Sequence, residues 1–298
     1  MIPLLETVFP VFLIFLTGYI VQKKFNLDIK SISNMSLYIL SPALIFETFY
    51  TARLNGEFFY MVIIQLLLLL ALIVTTKMAC RLFRYDIRTE SALMLTTAFM
   101  NSGNYGAPII LFAFGNKGFH EAVLIMVLHS IFMGIFAVYF ASRGKASVKD
   151  AILNIFRIPN IYAVAVGLLL QYCHIPLPGN FMQAVDLVGK ASIPVVMLVL
   201  GMQLATVTVQ DLDSKLVSLG TIIRLIISPL LAWGICSLFP ISLLSKQVML
   251  VLAGMPSAAT ALLYAVQFDA KAKLVSSITL VSTVLSFLSI TILLTMTE

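Results

Sequence analysis

The chain has 298 residues, 60% hydrophobic and 11% charged, with a formal net charge of +6 and a mean hydropathy of +1.04. Soluble chains carry roughly a quarter charged residues, so this composition excludes an ordinary soluble globular protein. The basic residues stand in short gaps between apolar runs and read as membrane-topology signals, not as a nucleic-acid surface, and the isolated Cys80, Cys173 and Cys236 form neither a metal spacing nor a disulfide framework.

Ten spans are predicted in chain order, at 3–21, 32–50, 58–80, 91–114, 120–141, 158–173, 181–204, 216–239, 245–267 and 274–296. Each approaches the length needed to cross a hydrocarbon core ~30 Å thick at 1.5 Å of rise per residue. The gaps are short and polar, which predicts an all-α bundle with consecutive helices antiparallel. A membrane barrel would need ~10-residue alternating segments, and these are absent. The first run has no basic residue before it and no small-residue cleavage site after it, so it reads as a retained helix and not a signal peptide.

Lys and Arg set the orientation. The loops after spans 1, 3, 5, 7 and 9 carry 14 of them, including Lys23, Arg81, Arg84, Arg143, Lys145, Lys149 and Arg157, while the other side carries only Arg53, Lys117 and Lys246. This asymmetry predicts a multi-pass protein of the cell (inner) membrane with both termini non-cytoplasmic.

The two halves repeat. Gly18 and Gly167 fall in spans 1 and 6, Ser41-Pro42 and Ile193-Pro194 in spans 2 and 7, and interruptions around Gly103–Pro108 and Gly254–Pro256 in spans 4 and 9. The offset stays near 150 residues, which implies duplication of a five-span unit. An odd number of spans forces the copies into opposite orientations, the inverted-repeat design of many secondary transporters. The expected divisions are residues 1–141, a cytoplasmic linker 142–157 with an amphipathic stretch Ala151–Phe156, and residues 158–298.

Asn101-Ser-Gly103-Asn104-Tyr-Gly106-Ala-Pro108 stands in the middle of span 4. Two amides, two glycines and a proline are costly in lipid unless the backbone they free lines a cavity. Half-helix N-termini there would offer N–H groups and partial positive charge to an anion, and the two Asn amides add neutral donors and acceptors. A proline kink with interhelical Asn bonds is the structural alternative. In span 9, Pro256 is expected to open the second half-helix, with Ser257 and Thr260 supplying hydroxyls. Two such breaks crossing would place four helix ends around one site. Pro42 and Pro194 are expected to bend helices packed against the crossing, and Glu47 and Gln203 fall at comparable depth in the two copies. Gln203 faces either the cavity or a neighbouring helix. Lys190 and Arg224 are the cations that the loops do not account for. Either one contacts the substrate or has a structural partner, with Asp186 the candidate for Arg224 and snorkelling open to Lys190. His129 reads as a packed imidazole, and no catalytic or metal constellation is present, so neither enzyme chemistry nor a cofactor is expected.

The N-x-G-N-x-G-x-P and M-P-S-A segments, with S-P-A-L-I-F in span 2 and P-V-V-M-L-V-L-G-M-Q-L in span 7, resemble the auxin efflux carrier family over essentially the whole chain. That family includes bacterial malate permease-like proteins and plant auxin exporters. The resemblance implies a ten-helix inverted-repeat fold similar to sodium/proton antiporters and bile acid transporters. It implies a scaffold of spans 1, 2, 6 and 7, a transport domain of spans 3–5 and 8–10 moving as an elevator, carboxylates held at the crossover, and homodimerisation. By position, Asn101, Asn104 and Pro108 match the first crossover and Pro256 the second. The chain departs from many bacterial members at Thr260, where they place Asn, and near Val266, Phe268 and Asp269, where they carry a basic residue followed by Tyr-Gly.

The leading expectation is therefore a carrier for a small organic anion, such as malate or an auxin-like acid, embedded in the lipid bilayer. A proton- or sodium-coupled porter of the same fold is the second reading, and a non-transporting membrane sensor is the third.

Overall fold

A computed structural model of the chain describes residues 7–52, 56–142, 156, 158–206 and 213–297. Arg53, most of the linker 142–157 with its basic residues, and all but the last residue of Ala151–Phe156 lie outside the described residues. The described chain is helical: α1 Phe9–Phe25, α2 Ile29–Thr51, α3 Gly56–Leu82, α4 Ile87–Thr97, α5 Ser102–Ala141, α6 Pro159–Tyr172, α7 Gly179–Thr206, α8 Ser214–Ser237, α9 Leu243–Ala253, α10 Ala261–Gln267 and α11 Ala272–Thr297. Among the described residues there is no β-strand, only one isolated antiparallel bridge between Met100 and Ser257. Six of the helices, α2, α3, α5, α7, α8 and α11, are long and apolar enough to cross a membrane. Phe59 and Leu67 on α3, Trp233 on α8, Leu238 just past α8 and Leu263 on α10 are exposed, a surface suited to lipid and adverse in water.

The expected spans 4 and 5 are joined more tightly than the sequence suggests. α5 runs through Gly115 at φ 63°, ψ −164°, its one non-helical residue. Glycine alone adopts that backbone readily. The arms 102–114 and 116–141 fold back on each other about this point. A Cβ on Gly103 would lie 3.0 Å from the Met126 Sδ, and one on Gly118 would lie 2.6 Å from the Phe114 Cβ.

Four prolines stand two residues beyond π-helical residues: Pro10 after Thr7–Val8, Pro42 after Ser36–Leu40, Pro108 after Ser102–Gly106, and Pro229 after Ile223–Ile227. The wide turn takes up the geometry that a proline without an N–H imposes on the preceding carbonyls. Pro194 instead lies inside the continuous helix α7.

Two sets of helices form. α1 packs along α7, and α2 packs on α6 and α7. These contacts are backbone-close: a Cβ on Gly18 would lie 2.2 Å from the Leu198 carbonyl oxygen, and one on Gly201 would lie 1.9 Å from that of Phe15. The second set joins α3 to α4 and α8, α5 to α9, and α11 to α4 and α8. The sets meet where residues 102–106 lie against α7 and where α2 touches α5.

Candidate functional site: the crossing of two interrupted helices

α4 stops at Thr97 and α9 stops at Ala253. The chain beyond each leaves the helix, and the two non-helical segments run antiparallel past one another at Met100 and Ser257. The Asn101 N–H donates to the Pro256 carbonyl at 2.8 Å, and the Ala258 N–H donates to the Phe99 carbonyl at 2.9 Å. Backbone groups left unpaired by the helix breaks thereby satisfy each other, which an apolar environment demands. The far ends are tied by matched caps. Asp86 accepts from the Thr89 N–H, and Ser242 accepts from the Ser245 N–H at 3.2 Å, the side-chain-to-N3 bond of a helix N-cap.

The first interruption lies earlier than the sequence predicts. Residues 98–101 are non-helical, whereas Gly103–Gly106 form a π-helical turn and Pro108 stands in the first turn of the helix that follows. Proline fits that position because the N–H it lacks has no intrahelical partner there. The second interruption holds Gly254–Pro256 as expected and extends to Thr260. Pro256 does not open the second half-helix, which starts at Ala261. It lies in the non-helical segment and contributes its carbonyl.

Arg224 closes the back of the crossing. It is fully buried, and its Nη1 donates to the Thr97 carbonyl at 2.7 Å. Its Nη2 donates to the Ala253 carbonyl and the Ser228 hydroxyl, and that hydroxyl also reaches the Ala253 carbonyl at 2.7 Å. Asp186, one candidate partner for Arg224 in the sequence, pairs instead with Lys190 at 2.7 Å on the exposed side of α7, with Glu47 of α2 close to both. Lys190, 70% exposed at its side chain, reaches outward. His129 is buried beside Phe99 and bonds through Nδ1 to the Gln65 amide nitrogen at 3.1 Å, a packed imidazole as read from the sequence.

In front of the crossing is a cleft of about 30 Å³. Gly103, Asn104, Ala107, Pro108 and the α5 residues Phe119 and Met126 form one wall; Ser41, Leu44, Ser192, Ile193 and Val196 of α2 and α7 form the other. Ser41 and Ser192, each just ahead of its helix's proline, bring their hydroxyls to 3.2 Å of one another.

Of the residues singled out from the sequence, Gly103, Asn104 and Pro108 thus line the cleft. Asn101 is buried elsewhere, its amide nitrogen without a partner, and Gly106 packs against Leu252 and Met255. The Ser257 hydroxyl receives a bond from Thr279 at 3.3 Å, and the Ser257 N–H donates to Ser282 at the same distance. The Thr260 hydroxyl reaches the Met133 sulfur at 3.2 Å. Pro42 faces a separate apolar groove, and the Gln203 amide oxygen is buried without a partner. Sequence reasoning missed Ser228, Tyr105 and the hydroxyls of α11. Tyr105 is buried with its hydroxyl 2.8 Å from Ser286. The signal was available in the helical spacing of Thr279, Ser282, Thr283 and Ser286, which puts hydroxyls on one face of an otherwise apolar helix.

Comparison with known proteins fits this architecture. An uncharacterized transporter of Methanothermobacter thermautotrophicus is 28% identical over 302 residues, spanning 96% of this chain and 95% of that one. An uncharacterized transporter of Methanocaldococcus jannaschii is 26% identical, spanning 97% of each chain. The sequence profile of a membrane transport protein family matches residues 3–154 and 145–294. The chain is therefore a multi-pass membrane protein of the membrane transport protein family, the auxin efflux carriers.

Proposed function

We propose that the chain is a ten-span secondary carrier for a small organic anion, a carboxylate such as malate or an auxin-like acid, that binds in the cleft beside the crossing. The observation that carries this reading is the position of Asn104 and Gly103 on the opening turn of α5, facing the cleft. The first N–H groups of a helix have no intrahelical partners and carry partial positive charge, and the Asn104 amide adds a donor. The opposite wall offers two hydroxyls and apolar side chains.

The cleft also supports alternating access. A volume of about 30 Å³ holds about one water, so a carboxylate enters only if the walls separate. Those walls belong to the two different sets of helices. α1, α2, α6 and α7 act as the scaffold, and the remaining helices move past them as an elevator carrying the crossing. Both termini lie outside the cytoplasm, and two copies pair through the scaffold in the cell membrane. Expulsion of one negative charge gains ~2.3 kcal/mol per 100 mV when the inside is negative, which is enough for uniport; a proton or sodium gradient is the competing energy source.

Flux in proteoliposomes tests the reading. Radiolabelled mono- and dicarboxylates are loaded, and potential, pH and sodium gradients are imposed one at a time. Carboxylate flux that falls at least about tenfold in Asn104→Ala, the expected loss of one charge-assisted hydrogen bond, supports the site. Flux indifferent to Asn104→Ala removes the site, and absence of flux for every anion removes the carrier.

A further inference from the structure

Arg224 has no carboxylate partner among the described residues; its bonds go to two carbonyls and a hydroxyl. A guanidinium does not deprotonate in proteins, so a full charge stays at the crossing with 0% of the residue exposed. The two carbonyls terminate α4 and α9, one from each half of the chain. Each helix C-terminus carries about half a negative charge, so one guanidinium matches two such ends. The helical segments that start beside the crossing, at Ser102 and Ala261, bring about half a positive charge each, so the four helix ends there sum to about zero. The net charge at the crossing is that of Arg224.

We propose that Arg224 determines the charge of the cargo: it cancels the two negative helix ends, the two positive ends at Ser102 and Ala261 are left, the crossing is about one unit positive, and the preferred cargo is a monoanion. It does so without touching the cargo, which lies against Asn104 on the other side of the crossing. The inference rests on the anion-carrier reading and narrows it to monocarboxylates, so that malate, a dianion at neutral pH, becomes a disfavoured cargo. A monoanion brings the loaded crossing to neutrality. A neutral acid amide leaves it at plus one and a dianion takes it to minus one, and either charge is costly in a low-dielectric interior.

A matched series separates these cases: 3-hydroxybutyrate, 3-hydroxybutyramide, and malate, which replaces the methyl group of 3-hydroxybutyrate with a second carboxylate. Proteoliposome uptake and thermal stabilisation of the detergent-solubilised protein are measured for each, on the wild type and on Arg224→Gln and Arg224→Lys. The wild type is expected to favour 3-hydroxybutyrate over the amide and over malate by roughly tenfold or more. Arg224→Gln, which still donates to a carbonyl, is expected to shrink the preference for the monoanion over the amide by about tenfold, while Arg224→Lys keeps it. The ratio within each variant is the readout, since a purely structural loss lowers all three cargoes together. Equal preference for the three cargoes in the wild type overturns the proposal even if no variant folds, as does an unchanged ratio in Arg224→Gln. In both cases the carrier reading stands. No anion flux in the wild type overturns both.

Discussion

Asn104 and Asn101 are three positions apart and serve different surfaces, one lining the cleft and the other buried with an unpartnered amide nitrogen. The sequence marks both equally, because an amide in an apolar run is conspicuous whichever way it points. Arg224 was conspicuous for the same reason, yet its partners were not, since a backbone carbonyl has no sequence signature. Asp86 is the residue whose electrostatics are best defined. Bonds from Thr89 and Lys271, the latter at 2.9 Å, pull its carboxyl down from 3.8 to about 2. A depressed folded pKa contributes stability that is fully present above the unfolded value and is lost as pH falls through the folded one. The side chain is 57% exposed, so solvent screening holds the contribution to no more than about 1 kcal/mol. Asp86→Asn keeps the helix cap but not the charge. Its thermal midpoint in detergent is expected to sit slightly below wild type at pH 5 and to converge with it as pH falls from 3.8 toward 2. A difference that persists unchanged across that window would assign the effect to the cap alone.

Among the elements, the long apolar helices were legible because composition and length suffice to mark them. The first break is displaced because the run of glycine, amide and proline at Gly103–Pro108 marks the interruption in the sequence. Pro108 instead opens the second arm of the broken helix, and the rupture lies at residues 98–101, whose sequence is unremarkable apart from Asn101. The pairing of Met100 with Ser257 was beyond local sequence altogether, since it joins positions in opposite halves. Helix packing shows the converse. Gly18 stood out as a repeat marker, and its role is close approach: with Gly201 it lets α1 and α7 meet backbone to backbone. Gly18→Ala and Gly201→Ala each push a methyl into a carbonyl and are expected to destabilise by about 1–3 kcal/mol, read as lowered thermal midpoints in detergent. Gly234→Ala is the control. A Cβ there meets nothing within 4 Å, and alanine's higher helix propensity makes it neutral to about 1 kcal/mol stabilising. Equal losses at all three positions would remove close packing as the cause.

For the whole molecule, the arrangement of helices sets what can move. The α1–α7 contact has backbone against backbone through Gly18 and Gly201, so it resists sliding. The contact between the two sets runs instead through the cleft, where side chains of α2 and α7 face α5 across about 30 Å³ of space. If transport moves the crossing past a fixed α2 and α7, covalent joining across the cleft must stop it. Met126 on α5 and Val196 on α7 line the cleft from opposite sides. Cysteines at these two positions, in a chain whose Cys80, Cys173 and Cys236 have been replaced by serine or alanine, are expected to cross-link on mild oxidation. Flux should fall to background and return on reduction. The single-cysteine chains treated the same way should keep their flux, which separates arrest of movement from oxidative damage. A cross-linked protein that still carries anions at an undiminished rate would mean that the two sets of helices do not move relative to each other during transport. The pathway would then run through a fixed channel, and the closed cleft would be a packing feature and not one state of a cycle.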